Sequence, residues 1–316
     1  SQIRRCDRQY QVELMSTRSR HASTAATVSG GIAILLWSSL ALMAVITTAL
    51  PPFEVLAISF AIGGTCAMLL GGSGAGIVAG WRQPLPALLL AVFALFGYHA
   101  LYFIAFRLAP PVEVNLINYL WPLLIVVFAA MTPGIRLHLR QVLGTLLGLV
   151  GVVVMISRGH GFSMTEANLP GYLAAFGAAL VWSSYSVINR RFHAVPSSAI
   201  GAACLIVAAL AGIVHGVFET TVAPSPAQWL TLLLMGLGPV GIAFRLWDRG
   251  TKHGDIALLG TLSYAAPVLS TLLLLCSGNV DAHWSQALAV ILLLIGAVLS
   301  ASASNRANPS APESAD

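Results

Sequence analysis

The sequence predicts an all-α polytopic membrane protein whose ten transmembrane helices form a 5+5 inverted-topology repeat. Three observations predict it. First, the 316-residue chain is 57% hydrophobic and only 9% charged, with a mean hydropathy of +0.84. A soluble domain carries roughly 25% charged residues, so this chain has too few charges to cover a water-facing globule. Second, its apolar residues run in continuous stretches of about 20, the length that crosses a bilayer as a helix. Third, its two halves share landmarks at one constant offset. Together these exclude a soluble enzyme, a nucleic-acid-binding module and a disordered chain, despite a net charge of +5.

Ten apolar windows follow in order: 30–50, 53–72, 85–106, 111–131, 141–157, 170–189, 198–217, 228–246, 256–276 and 285–303. Their connectors are short and rich in Pro, Gly, Arg and Lys. A membrane barrel would need alternating segments of about ten residues, which continuous runs do not supply. The expected organisation is a cytoplasmic N-terminal segment (1–29), a first five-helix repeat (30–157), a second, inverted one (170–303) and a disordered cytoplasmic tail (304–316) rich in Ala, Ser, Asn and Pro. Within the first segment Met15 opens a bacterial-type start, MSTRSRHAST. Residues 1–14 have no apolar h-region, so they read as a non-native prefix and not as a signal peptide.

Orientation follows from Lys and Arg, which collect in cytoplasmic loops. With both termini cytoplasmic, thirteen of the sixteen fall on that side and two, Arg107 and Arg158, on the other. Arg245 lies at the cytoplasmic end of the eighth window, where a long side chain can snorkel.

Shifting the chain by 145 residues aligns Trp37-Ser38-Ser39 with Trp182-Ser183-Ser184, Pro51 with Pro196, Gln83 with Gln228, Tyr119 with Tyr264, Pro122 with Pro267, Gln141 with Gln286 and Gly151 with Gly296. Each half therefore holds five spans. Five is odd, so the second half enters the membrane upside down. Arg107 and Lys252 are equivalent yet fall on opposite sides. Inverted repeats are a transporter architecture with the site near the midplane between halves. Rocking of one half against the other then gives alternating access.

The third and fourth windows hold the polar and aromatic residues. The third reads GYHALYFIAF, in which Tyr98, His99 and Tyr102 share a broad helical face. A histidine within a span is a site candidate by default. A hydrogen-bonded structural His beside core tyrosines is the other reading. The fourth window reads EVNLINYLWPLL. Asn115, Asn118, Tyr119 and Pro122 form one polar stripe, with Trp121 at its flank. Pro122 has no N–H, which frees the carbonyl of Asn118. Such a group must be satisfied by protein, water or ligand. The repeat assigns the same effect to Pro267 on the carbonyl of Ser263, beside Tyr264. Two facing freed carbonyls would hold an ammonium; two packing kinks filled by water or hydroxyls is the other reading.

Trp182 lies about twelve residues into its window, too deep for an interfacial belt. With Ser183, Tyr185 and Ser186 around it, it suggests an aromatic wall with hydroxyls. Trp37 is its counterpart by the repeat. Carboxylates are scarce. Glu54 and Glu113 stand at window starts, and Asp248, Asp255 and Asp281 in or beside connectors. No proton-relay chain is visible, which leaves His99 or Glu113 as the candidate for any proton coupling. The cluster Gly71-Gly72-Ser73-Gly74-Ala75-Gly76 lacks the Lys-Ser/Thr ending of a phosphate loop and reads as a flexible linker. Cys6, Cys66, Cys204 and Cys276 lack metal-ligand spacing; those in the windows read as small buried hydrophobes. No catalytic constellation, metal site or cofactor is expected, which argues against an intramembrane enzyme.

The ten spans, the repeat and the two Trp-Ser-Ser segments resemble the drug/metabolite transporter superfamily, in particular its EamA-type members, over residues 30–303. Tyr98-His99-x-x-Tyr102, Asn118-Tyr119-x-Trp121-Pro122 and Trp182-Ser183-Ser184-Tyr185 are similar to motifs of the superfamily's aromatic amino-acid exporters. The resemblance implies a multi-pass secondary transporter of the bacterial inner membrane that exports Phe, Tyr, Trp and related compounds. It further implies a central cavity lined by Tyr98, His99, Tyr102, Tyr119, Trp121 and Trp182. The lipid bilayer and a small-molecule substrate are the expected partners, with no nucleic acid, and a monomer is expected. Spacing alone reaches only a transporter with an aromatic, weakly polar site. Export of a threonine-like amino acid, a purine or methyl viologen is the rival reading.

Overall fold

The computed structural model describes residues 22–70, 74–133, 135, 137–158, 165–278 and 281–306. Residues 1–14 with Cys6, the rest of the N-terminal segment to residue 21, Gly71 to Ser73 and tail residues 307–316 lie outside these.

Among the described residues, ten helices are long and apolar enough to cross a membrane. They are α1 (Ala22–Thr47), α2 (Pro52–Leu69), α3 (Leu85–Leu108), α4 (Glu113–Ala130), α5 (Leu139–Ser157), α6 (Glu166–Phe192), α7 (Ser197–Phe218), α8 (Pro226–His253), α9 (Ile256–Cys276) and α10 (Trp284–Ala303). Local chemistry sets their starts. Pro52 and Pro226 sit in first turns, where no N–H is needed. Ser225 and Gln228 form a capping box on α8, and the Asp255 carboxylate accepts from the Leu258 N–H at 2.9 Å on α9. The helix α1 begins eight residues before its apolar window, and in that added stretch the Thr27 and Ser29 hydroxyls bond back to the carbonyls of Ser23 and Ala25. The glycine cluster is not wholly a linker. Gly74 opens a short helix, Gly74–Trp81.

Odd-numbered helices run from the face bearing the α1 N-terminus, here the near face, to the far face; even-numbered helices return. Most of the packing recurs when each helix is exchanged for its counterpart five places on. The pairs α5–α10, α2–α7 and α4–α9 map onto themselves. The contact α3–α6 is matched by α8–α1, α4–α6 by α9–α1, and α2–α8 by α7–α3. The chain is thus a ten-helix bundle with an inverted repeat. Glycines set its closest crossings. A Cβ on Gly144 of α5 would collide with the carbonyl of Gly296 on α10, and the repeat-related crossing sets Gly151 against Ala289.

Four helices are interrupted. The helix α1 breaks at Ser39, α4 at Tyr119–Leu120 and α9 at Ser263–Tyr264, while α8 contains a π-helical segment, Gly236–Ile242, around Pro239. All four interruptions lie near mid-span.

Candidate functional site

The interrupted helices enclose a cavity of about 630 Å³. Its wall comes from the far halves of α1, α3, α4, α5 and α9, so it lies toward the far face. Trp182 of α6 and Phe244 of α8 form its floor near mid-depth. Among the described residues, no Asp, Glu, Lys or Arg lines it.

The polar side chains of α3 and α4 bind each other across the wall. Tyr102 donates its hydroxyl to Asn115 Oδ1 at 2.6 Å, and Asn118 Nδ2 donates to Tyr98 Oη at 3.1 Å. Residues four apart on α3 thus meet residues three apart on an antiparallel α4. Tyr98 and Tyr102 stack with ring centroids 5.7 Å apart. The Tyr102 hydroxyl proton is thus committed to Asn115, while Tyr98 Oη accepts and keeps its own proton to donate.

His99 Nδ1 lies 2.6 Å from the carbonyl of Leu95. A carbonyl only accepts, so Nδ1 carries a proton and Nε2 of the neutral ring keeps an open lone pair. Phe60 and Tyr98 hold the imidazole edge-on at 5.3 and 5.2 Å.

The two proline breaks differ. Pro122 leaves the Asn118 carbonyl without a backbone donor among the described residues, and the buried Asn118 Oδ1 also lacks a partner. Pro267 does not free Ser263. The carbonyl of Ser263 accepts from the Ala266 N–H at 3.1 Å, because the chain tightens to a three-residue turn there. Ser263 is fully buried and outside the cavity wall, so the expected pair of facing freed carbonyls is absent.

Of the residues singled out in the sequence, Trp37, Tyr98, His99, Tyr102, Asn115, Asn118, Tyr119, Trp121, Trp182 and Pro267 line the cavity. Pro122 and Tyr185 lie buried behind the wall. Ser183 and Ser186 turn their hydroxyls back to the carbonyls of Ala179 and Trp182, at 2.7 and 2.9 Å, and never face the cavity. Tyr264 packs against Gly148 and Val152 on the scaffold side.

Below the floor an aromatic layer shuts the near half. Trp37 meets Trp182 at 5.7 Å and Trp247 at 5.2 Å, and Trp182 stacks on Trp247 at 6.2 Å. Phe244 and Trp247 are the repeat partners of His99 and Tyr102, so the 145-residue offset contained the signal for them. Deeper still is a buried polar layer. Asp248 pairs with Lys252 at 2.9 Å, with side chains 4% and 3% exposed. Asn189 donates to Asp248 Oδ1 at 2.7 Å, and Lys252 donates to the Val195 carbonyl at 3.1 Å. These two charges are not connector residues, as their position at a window edge suggests, but part of the closed side. Cys276 is exposed, Cys66 half-buried and Cys204 buried, so only the last fits the expected small-hydrophobe role. No group of His, Cys, Asp and Glu among the described residues could hold a metal ion.

An inverted repeat around a chamber open to one face and shut toward the other defines a secondary transporter of small metabolites. The chain belongs to the EamA-like transporter family, whose description matches residues 27–157 and again 169–302. It is 48% identical over 280 residues to the aromatic amino acid exporter YddG of Ancylobacter novellus, covering 87% of this chain and 96% of that one. It is 28% identical over 202 residues to the aromatic amino acid exporter YddG of Salmonella typhimurium, covering 60% of this chain and 66% of that one. A crystal structure 46% identical in sequence superposes with a TM-score of 0.85, over 90% of this chain and 99% of its own. The family is one of transporters, not enzymes, and the chain is a multi-pass bacterial inner-membrane protein.

Proposed function

We propose that this protein exports aromatic amino acids from the cytoplasm, as a monomer with both termini cytoplasmic. The observation that carries this reading is a chamber walled by Tyr98, Tyr102, Trp121 and Trp182 with no Asp, Glu, Lys or Arg among the described residues of its lining. Such a wall rewards an aromatic ring. Each ring pair adds about 0.5–1.5 kcal/mol beyond burial. An inorganic ion or a phosphate ester would find no counter-charge there.

The zwitterion finds both kinds of partner. His99 Nε2 and the Asn118 carbonyl freed by Pro122 are acceptors for an ammonium. The indole N–H groups of Trp121 and Trp182 are donors for a carboxylate. By contrast, those of Trp37 and Trp247 already bond Pro239 O and Ser186 Oγ, at 2.9 and 3.2 Å. Among the described residues, seven Lys and Arg lie on the near side, with Arg245 at its edge, against Arg107 and Arg158 on the far side, a bias that supports a cytoplasmic near side. The chamber then faces the periplasm, as after delivery of a substrate. The similarity to aromatic amino acid exporters supports the same substrate class.

The test is counterflow of labelled Phe in proteoliposomes, with unlabelled Phe, Tyr, Trp, Thr, adenine and methyl viologen as competitors, at two pH values. Phe, Tyr and Trp compete strongly and Thr weakly. Stronger competition by Thr, adenine or methyl viologen than by the aromatic amino acids would transfer the protein to another substrate class.

A further inference from the structure

On the outer surface of the bundle, the exposed face of α8 changes character along its length. Leu230, Leu234, Leu237 and Ile242 are 58, 49, 37 and 36% exposed, the stripe a membrane helix turns to lipid. Three and seven residues beyond Ile242, that face continues as Arg245 and Arg249. Neither arginine forms an ion pair or hydrogen bond among the described residues. Nη1 of Arg245 is buried and has no partner.

Beside this stripe a groove of about 650 Å³ separates α2 from α8, walled by Ile62, Thr65, Cys66, Leu69, Leu70 and Leu237. The one hydroxyl there, on Thr65, bonds back to the Ala61 carbonyl at 2.8 Å, so the groove offers an apolar wall. Both helices run toward the near face, and Gly236 touches Ile62, which sets Leu237 level with Ile62. Eight residues on, roughly 12 Å deeper, Leu70 and Arg245 are level with each other. The groove therefore ends at the depth where the arginines begin. Exposed Trp81 and Arg82, soon after α2, mark the same near-face boundary.

We propose that the groove and the two arginines hold one anionic phospholipid of the near leaflet. Its acyl chain fills the space beside Ile62, Cys66 and Leu237, and its phosphodiester oxygens accept from Arg245 and Arg249. Guanidinium forks match phosphate oxygens in pairs. Two uncompensated positive charges favour a headgroup with no ammonium of its own. Basic positions at the cytoplasmic ends of membrane helices bind such lipids on the same grounds. The site is separate from the chamber and does not rest on the substrate assigned to it.

The test is native mass spectrometry of delipidated protein titrated with dioleoyl phosphatidylglycerol, dioleoyl phosphatidylcholine or glycerol 3-phosphate. One phosphatidylglycerol is retained in preference to phosphatidylcholine, and glycerol 3-phosphate does not displace it. Arg245→Gln and Arg249→Gln each weaken retention by about fivefold, and Cys66→Trp weakens it with both arginines intact. Arg249 is exposed, so Arg249→Gln keeps the test available should a variant in the groove fail to fold. Equal retention of the two lipids, unchanged retention in both arginine variants or in Cys66→Trp, or displacement by glycerol 3-phosphate alone would each overturn the site.

Discussion

The indole N–H of Trp37 donates to the carbonyl of Pro239 at 2.9 Å, joining the two repeats just below the chamber. The bond exists because α8 is π-helical there. The N–H of Ala243 bonds the carbonyls of Gly238 and Val240 and passes over that of Pro239. A carbonyl left out of its helix at membrane depth needs another donor, and Trp37 is it. The repeat partner of Pro239 is Ala94 in α3, which runs as unbroken helix. One repeat thus carries a π-helical segment where the other has α-helix.

Trp37→Phe separates the hydrogen bond from the ring. The variant keeps an aromatic face toward Trp182 and Trp247 but leaves the Pro239 carbonyl unsatisfied, at about 1–3 kcal/mol. Thermal unfolding in detergent shifts downward, while competition by Phe for the chamber changes little. A Trp37→Phe protein as stable as the parent would remove this bond from the account of how the repeats are held.

The near-side polar layer has no counterpart on the far side. The repeat partners of Asn189, Asp248 and Lys252 are Ala44, Phe103 and Arg107, and of these Ala44 and Phe103 line the open chamber. The closed side is held by a buried ion pair; in its mirror image Phe103 replaces the acid and Arg107 is exposed. Removing one partner of a buried pair costs about 3–5 kcal/mol, whereas replacing both by apolar groups is often neutral. Asp248→Asn therefore destabilises strongly, and Asp248→Leu with Lys252→Met recovers most of the loss. A cysteine at Ala26, buried at the near end of α1, reacts faster with an impermeant maleimide in Asp248→Asn than in the parent background.

Much of this architecture is legible in sequence, for reasons that also set the limit. Ten apolar runs and a constant offset are properties of order along the chain. They place Trp37 opposite Trp182 and make α4 and α9 equivalent. What a run does not reveal is the fate of one atom. Pro122 and Pro267 sit at equivalent positions, yet only Asn118 keeps a free carbonyl, because Ala266 turns back to Ser263. The hydroxyls of Ser183 and Ser186 look like wall groups beside Trp182 but bond their own helix. Asp248 and Lys252 fall at the edge of an apolar window, where charges pass for loop residues. Only contact with Asn189 and Val195 reveals their burial.

Tyr102 tests the division of labour between a hydroxyl and a ring. Its hydroxyl bonds Asn115 at 2.6 Å and its ring stacks on Tyr98. Tyr102→Phe loses one interhelical bond, roughly 1 kcal/mol or somewhat more, with the order of competing substrates unchanged. Tyr102→Ala removes a wall face and lowers Phe counterflow severely. Loss of substrate discrimination in Tyr102→Phe would mean that the hydroxyl, not the ring, reads the substrate.

His99 reads the ammonium if Nε2 is the acceptor its tautomer implies. Its other nitrogen is committed to the Leu95 carbonyl at 2.6 Å, so the ring cannot turn a donor toward the chamber while neutral. Phe should then be preferred over 3-phenylpropionate, which keeps the ring and carboxylate but has no ammonium. Hydrogen bonds to charged groups contribute about 1.5–3 kcal/mol, so His99→Leu narrows that preference by about tenfold or more. His99→Gln, whose amide oxygen can still accept, retains part of it. Acidification acts in the same direction as His99→Leu: protonation turns Nε2 into a donor and sets a cation against the ammonium, and competition by Phe weakens while that by 3-phenylpropionate strengthens. The same preference in His99→Leu as in the parent, measured by inhibition of labelled Trp counterflow, would reassign the ammonium to the carbonyl of Asn118.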